Sequence, residues 1–541
     1  MRIMRLPRLA IIMAAGLTLG SRAQGQQHTG HELGAVDFPI SCGAPARAAF
    51  NRAVALLHHM TYPQAREAFE QVLKTDSTCA MAHWGVAMTL FQPLWPTRPS
   101  PAALQRGWDA VQKAKQLAPA TEKERLFITA AEAFFLEPAS ADYWLRIRRW
   151  EQAMEKVHSA FPDDVEVAAF YALAHLATTR SDTVTRANAD RAAEILLRAY
   201  DRAPEHPGLM HYLVHANDVP TREQESLEVT RRYDAVAPRN PHALHMPTHI
   251  YTRLGDWTAV VRGNQRAAEA ALEHPAGERG DLVWDEFPHA IEYLVYAWLQ
   301  KAADDSALTE LQRLRKTERL EPTFKTAFHL ASTQARYALE RRDWKQAMAI
   351  VPREPATLAW DRFGWAEAIV HFARGLGAAH RNNLTDARSA VDRLGQIEDA
   401  TAKAGEALFA RNIRMLRLEL GAWVMHREGK SAQAVALLRE AVDLEATTPK
   451  HAVTPGPTLP ALELLGDLLL EQKRAGEALE AYQRALAQYP GRYNSILGAA
   501  RASLAAGDVT RARAFYAELL ALAGAGTRTA DMTEARRFVP R

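Results

Sequence analysis

Residues 461–490 read ALELLGDLLLEQKRAGEALEAYQRALAQYP, and this stretch decides the fold. Two helical runs face each other across a polar turn. The small residues Gly466, Ala478 and Ala485 fall where two helices must approach closely, and Leu465 and Tyr482 fill the space between them. Pro490 stops the second run, because proline cannot continue the helical hydrogen-bond ladder. One such hairpin cannot bury its apolar face alone, so it predicts neighbours of the same kind.

Those neighbours are present on both sides. The next unit repeats the pattern with Leu497-Gly498, Gly507-Asp508, Ala512 and Tyr516. Going backwards, Gly429-Lys430 with Ala434 and Ala441, Asp343-Trp344 with Ala347, and Gly255-Asp256-Trp257 mark further turns. Tyr62, Ala65 and Phe69 fit the same frame near the start, followed by Trp84-Gly85, Ala114 and Pro119. The sum predicts an all-α solenoid of about twelve helical hairpins between Cys42 and Ala525. Three proline- or glycine-bearing interruptions stand out, at 92–101, 274–288 and 447–460. The last of these is expected to set off C-terminal hairpins, giving units 42–450 and 451–525 with a charged tail at 526–541.

A chain of 541 residues is long for one compact core but ordinary for a solenoid, which grows by adding units. Charged residues make up 24% and apolar ones 48%, a folded rather than a disordered composition. Residues 1–23 read as a signal peptide. Arg2, Arg5 and Arg8 precede a short apolar run, Leu9–Leu19, and Ser21-Arg22-Ala23 offers a cleavage site. Export to a periplasmic or secreted location is therefore expected, without a membrane span. The formal charge of +3 includes four arginines and no acid in that segment. A nearly neutral mature chain excludes an electrostatic footprint for nucleic acid. Residues 24–41 are expected to be extended and loosely held. The two cysteines, Cys42 and Cys79, each precede the first helix of a hairpin, and an exported chain favours a disulfide between them over two buried thiols.

Residues 206–249 hold six of the twenty histidines. His211 and His215 are spaced i, i+4, as are His245 and His249, so each pair projects from one helix face. His245 follows His211, and His249 follows His215, by 34 residues. Hairpins that stack in register would place these four imidazoles side by side. No glycine-rich phosphate loop, nucleophile elbow or C-x-x-C is present, and no nucleophile is nominated. Arg146, Arg148 and Arg149 read as a solvated face, and Trp84, Trp95, Trp108, Trp144 and Trp150 as helix–helix core or an aromatic groove.

Residues 42–525 resemble the tetratricopeptide repeat superfamily. The nearest likeness is to exported bacterial members carrying H-P-G-x-x-H-Y-x-x-H, here His206–His215, and H-M-P-x-H-I-x-x-R-L-G-x-W, here His245–Trp257. The resemblance implies a right-handed superhelix whose concave face is lined by positions 2, 5, 9 and 12 of each first helix. Counted from Pro207, Pro241 and Pro288, those positions include His211, His215 and Asp218, then His242, His245 and His249, then His289, Glu292 and Tyr296. In the following unit His329 is position 2, Ser332 is 5 and Arg336 is 9. The expected function is an exported scaffold binding a peptide, protein or small ligand along this groove. The alternative is a metalloprotein or metalloenzyme in which His211, His215, His245, His249 and Glu292 hold zinc, copper or iron, since neutral imidazole suits all three.

Overall fold

The computed structural model of the protein describes residues 33–95, 98–179, 186–277, 280–524 and 526–539. The expected signal peptide lies outside the described residues. Among those described, the fold is all-α. Twenty-six α-helices run from Ala44 to Arg536, and the only bridges are isolated ones, Ala276 with Leu282 and Val283 with Leu320. No described helix is long and apolar enough to cross a membrane.

Packing follows the small-and-large pattern. A side chain on Gly466 or on Gly498 would come within 3.0 Å of the Tyr482 ring, so that ring is wedged between two helices that only glycine lets approach. Turns between helices are built locally. Gly255 and Gly507 adopt positive φ, and the aspartate after each caps the next helix, Asp256 accepting from the Ala259 N–H at 3.0 Å and Asp508 from that of Arg511 at 2.9 Å. Alternate helices also pack together: Glu286–Gln300 on Phe324–Leu339, that one on Gly364–His380, and that on Ala407–Arg427. This is the stacking of successive hairpins that makes a solenoid.

The solenoid turns back on itself. Trp257 Nε1 donates to the carbonyl of Gly491 at 2.7 Å, and the Tyr493 N–H donates to Gln300 Oε1 at 2.9 Å. Arg492 is fully buried and donates to Glu340 at 2.9 Å, to Glu463 at 2.9 Å and to the Tyr296 hydroxyl at 2.8 Å. The 447–460 connection is clamped rather than free. Arg336 donates to the carbonyls of Gly456 at 2.6 Å and Pro457 at 2.9 Å, and one core continues from Ala327 to Ala502 across the segment. The return of the C-terminal hairpins thus gives units 42–450 and 451–525 a shared core.

Other expectations change for equally physical reasons. The described part of the N-terminal segment is extended but anchored: Phe38 is buried against Phe50, Trp84 and Phe127, and Ser41 donates to Glu124. Arg146 is not on a solvated face. It is buried and donates to the carbonyls of Phe134, Leu136, Glu137 and Ala141, which closes the end of the Glu122–Phe135 helix. Part of the tail, Thr529–Arg536, is a helix that buries Met532 and Ala535. Cys42 and Cys79 are joined by a disulfide.

Candidate metal centre

Four first helices carry the predicted positions. His211 and His215 stand on Pro207–Asn217, whose N-terminus is capped by His206 Nδ1 accepting from the Leu209 N–H at 3.3 Å. His242, His245 and His249 stand on Pro241–His245 and Pro247–Leu254, two short helices separated at the Met246-Pro247 step, where proline has no N–H to give. His289, Glu292 and Tyr296 stand on Glu286–Gln300, and His329 and Arg336 on Phe324–Leu339.

The histidines gather as two triads, not as one group of four. His211, His215 and His242 each bring a ring nitrogen within 4.8 Å of the others, and so do His245, His249 and His289. Within the first, His211 Nε2 lies 3.1 Å from His215 Nε2 and 3.2 Å from His242 Nε2. Within the second, His245 Nε2 lies 2.9 Å from His249 Nε2. The triads abut: ring centroids are 6.3 Å apart for His242 and His245 and 6.5 Å for His215 and His249. One rule builds both. Positions 5 and 9 of one hairpin are completed by position 2 of the next.

The outward nitrogens of His211, His245 and His249 each face an acceptor at 2.6–2.8 Å, nearer than the Lys450 Nζ that lies 3.5 Å from His249 Nδ1, and this fixes their inward ones. His211 Nδ1 donates to the carbonyl of His58 at 2.6 Å, and His249 Nδ1 to Asp218 Oδ2 at 2.8 Å. His245 Nδ1 donates to Asn264 Oδ1 at 2.7 Å; the Asn264 amide is oriented by its own donation to the Val260 carbonyl at 2.9 Å. His329 Nδ1 donates to Glu292 Oε2 at 2.5 Å, so its Nε2 must accept from His289 Nδ1, 2.7 Å away. His242 Nδ1 faces Glu286 Oε1 at 3.3 Å. The inward Nε2 atoms of His211, His245, His249 and His289 are thus lone pairs, and that of His249 faces the Tyr293 hydroxyl at 3.3 Å; His242 Nδ1 makes no hydrogen bond among the described residues, so nothing fixes the proton of that ring. The His289 Nε2 is buried and meets no hydrogen-bond partner.

Charge does not rescue these contacts by protonation. Burial holds His211, His215, His245 and His289 well below the ordinary imidazole value, and neighbouring imidazoles push the same way. His249 is lowered to about 4, by burial first and then by the nearby Lys450, against the opposing pull of Asp218. At neutral pH two lone pairs therefore meet at 2.9 Å between His245 and His249, a repulsive contact that the Tyr293 hydroxyl, 3.3 Å from His249 Nε2, relieves on one side and a cation between them would relieve on both.

Three predicted residues stand apart from the triads. Glu292 gives its oxygens to His329, to Ser332 at 2.6 Å and to Arg336 at 2.8 Å, so it orients the second triad instead of joining it. The Tyr296 hydroxyl accepts from Arg492. Asp218 lies behind His249 and is paired with Lys450 at 2.8 Å and Arg253 at 2.5 Å. Sequence reasoning missed Asn264, on a second helix, and Lys450, 201 residues from His249. It also missed His58, Glu166 and His206, a third buried cluster. Its only written hint is the His58-His59 pair. Both oxygens of Glu166 are engaged, by His58 at 2.9 Å and His206 at 2.9 Å, and His58 also meets the Tyr212 hydroxyl at 3.0 Å, so that cluster is a satisfied packing network.

The inner face is covered. Of the predicted groove positions, His211, His242, His245, His249, His289, Glu292 and Tyr296 are buried, and only His215 and Asp218 are half-buried. The seven buried positions present no open surface. What remains open beside it is a cavity of about 370 Å³, lined by His215, Asp218 and Lys450 and by a group of aromatic side chains.

Tetratricopeptide repeat models match residues 422–493 and 469–528. No curated protein matches the chain. Among solved structures, the APC/C hetero-tetramer Cut9-Hcn1 aligns over 93% of this chain and 78% of its own at 12% identity, with a TM-score of 0.36. Yeast Tom70 aligns over 91% and 95% at 14% identity, with a TM-score of 0.27. Likenesses of that size carry no argument. The chain thus bears tetratricopeptide repeats at residues 422–528, and the histidine helices lie outside the matched region.

Proposed function

We propose that this protein is a repeat scaffold that holds two transition-metal ions side by side, one in each triad. The observation that carries the reading is the set of inward lone pairs, above all the buried His289 Nε2 with no partner. The outer nitrogens of all three imidazoles are held in the second triad and that of His211 in the first, and three ligands leave a coordination position free for a small molecule. The donors are all neutral nitrogen, which suits zinc or copper and not magnesium or calcium. The surrounding charges already cancel: Asp218 against Lys450 and Arg253, Asp285 and Glu286 against Lys325, and Glu292 against Arg336. Two divalent ions would leave four positive charges uncompensated in a buried space, and two cuprous ions only half as many, so charge favours copper. An ion pair with open positions at the edge of a cavity is suited to redox chemistry on a small substrate.

Elemental analysis of the full chain, loaded with copper under reducing conditions and desalted, tests this. Two ions per chain are expected, one after His289→Ala or His211→Ala, and none after both. A metal content that stays near zero on loading, or is unchanged by both substitutions, defeats the reading.

A further inference from the structure

The cavity beside the first triad contains two acids that form no ion pair among the described residues. Glu419, on Ala407–Arg427, is 2% exposed, and its Oε2 meets no hydrogen-bond partner. Glu445 accepts from the Ala461 N–H at 3.0 Å and the Tyr489 hydroxyl at 3.2 Å but pairs with no base. Every other acid on the cavity wall is paired, Glu406 with Arg98 and Asp218 with Lys450 and Arg253. The remaining wall is aromatic. Trp365 and Phe409 lie 5.3 Å apart, and His451 meets both edge-on. Trp95, Tyr143 and Trp144 line the cavity as well.

A buried carboxylate without a partner is costly, and a bound cation beside it removes that cost. Aromatic walls add attraction for a ring and for an ammonium group placed over a ring face. A cavity of about 370 Å³ admits a molecule of drug-fragment size.

We propose that this cavity binds a small aromatic amine, with its ring between the aromatic walls and its ammonium group at Glu419 and Glu445. The geometry also sets what such a ligand would approach, because His215 and Asp218 form part of the same wall. Burial raises Glu419 well above the usual carboxylate range, with Glu445 adding to the effect, as expected of acids that lack their cation. The binding itself depends on the two acids and not on metal. It adds to the two-ion reading the class of molecule delivered to the first triad.

Calorimetry with the full chain tests it, using 2-phenylethylamine, 2-phenylethanol and 3-phenylpropionate as probes. Each titration is run on copper-loaded and on chelator-stripped protein. The amine is expected to bind in both states, about tenfold or more tighter than the alcohol, with no binding of the acid. Glu419→Gln is expected to remove the preference for the amine. Should that variant lose its helical circular dichroism, Glu445→Gln is read in its place with the same expectation. Equal binding of amine and alcohol, no binding of the amine, or a preference that survives in the folded variant overturns the proposal. A protein that takes up no copper on loading yet still selects the amine removes the two-ion reading alone, and a two-copper protein indifferent to the amine removes this one alone.

Discussion

Asn264 offers no ligand atom, yet it decides which nitrogen of His245 carries the proton. Its carbonyl oxygen can only accept, so Nδ1 donates and Nε2 stays free. Asn264→Leu keeps the volume and removes the acceptor. We expect copper affinity at the second triad to fall by about 10–100-fold, read by competition with a chromophoric chelator, with helical content unchanged. Glu445 sets a pH dependence. Burial raises it from 4.5 in the unfolded chain to about 7. Between those values the unfolded chain loses the proton while the folded one keeps it, so stability drains away as pH rises through that window. Glu445→Gln should therefore gain on the natural protein as pH climbs from about 4.5 to 7, by up to about 3 kcal/mol, and then hold a constant lead in urea unfolding. At this scale the sequence gives ligand types readily, since i, i+4 imidazoles on a helix face are visible in the letters. It hides their partners: Asn264 and Lys450 have no periodic relation to the histidines they serve.

Within and between helices the repeat frame does most of the explaining. His211 and His215 recur as His245 and His249 because the unit length is kept, and that was legible. The membership of each triad was not. Position 2 of the following hairpin completes it, and the 274–288 connection puts His289 out of the 34-residue count. Stacking, not spacing, restores the register. Gly208 occupies position 2 in the first of these hairpins, where a side chain would come within 3.0 Å of the His58 ring. Gly208→Ala should displace His58, and with it the carbonyl that holds His211, lowering metal content at the first triad more than at the second. Gly498→Ala drives a methyl into the Tyr482 ring and should cost about 1–3 kcal/mol in chemical denaturation with metal content unaffected.

At the level of the whole chain, local pattern stops being informative. The helical hairpins are each readable, but the closure of the solenoid depends on small rotations added over many units, and no short segment encodes that sum. The burial of the predicted groove positions arises at this scale, and so does the core shared across residue 450. Arg492 records the closure. It joins Glu340, Glu463 and Tyr296, so removing it leaves the buried Glu340 without an ion-pair partner, while Glu463 keeps Arg342 at 3.0 Å. Arg492→Ala should cost about 3–5 kcal/mol in urea unfolding, whereas the same change at exposed Arg198 should be near neutral.

The sharing of each triad between adjacent hairpins also bears on how such a protein changes over generations. Glu292, Tyr296 and His329 occupy the very register slots that hold three imidazoles in each of the two preceding steps. The scaffold therefore already contains the outline of a third seat, lacking only two side chains. Lengthening the row asks for altered letters at existing places on the staircase, whereas excising a single hairpin would break the seats on both of its flanks.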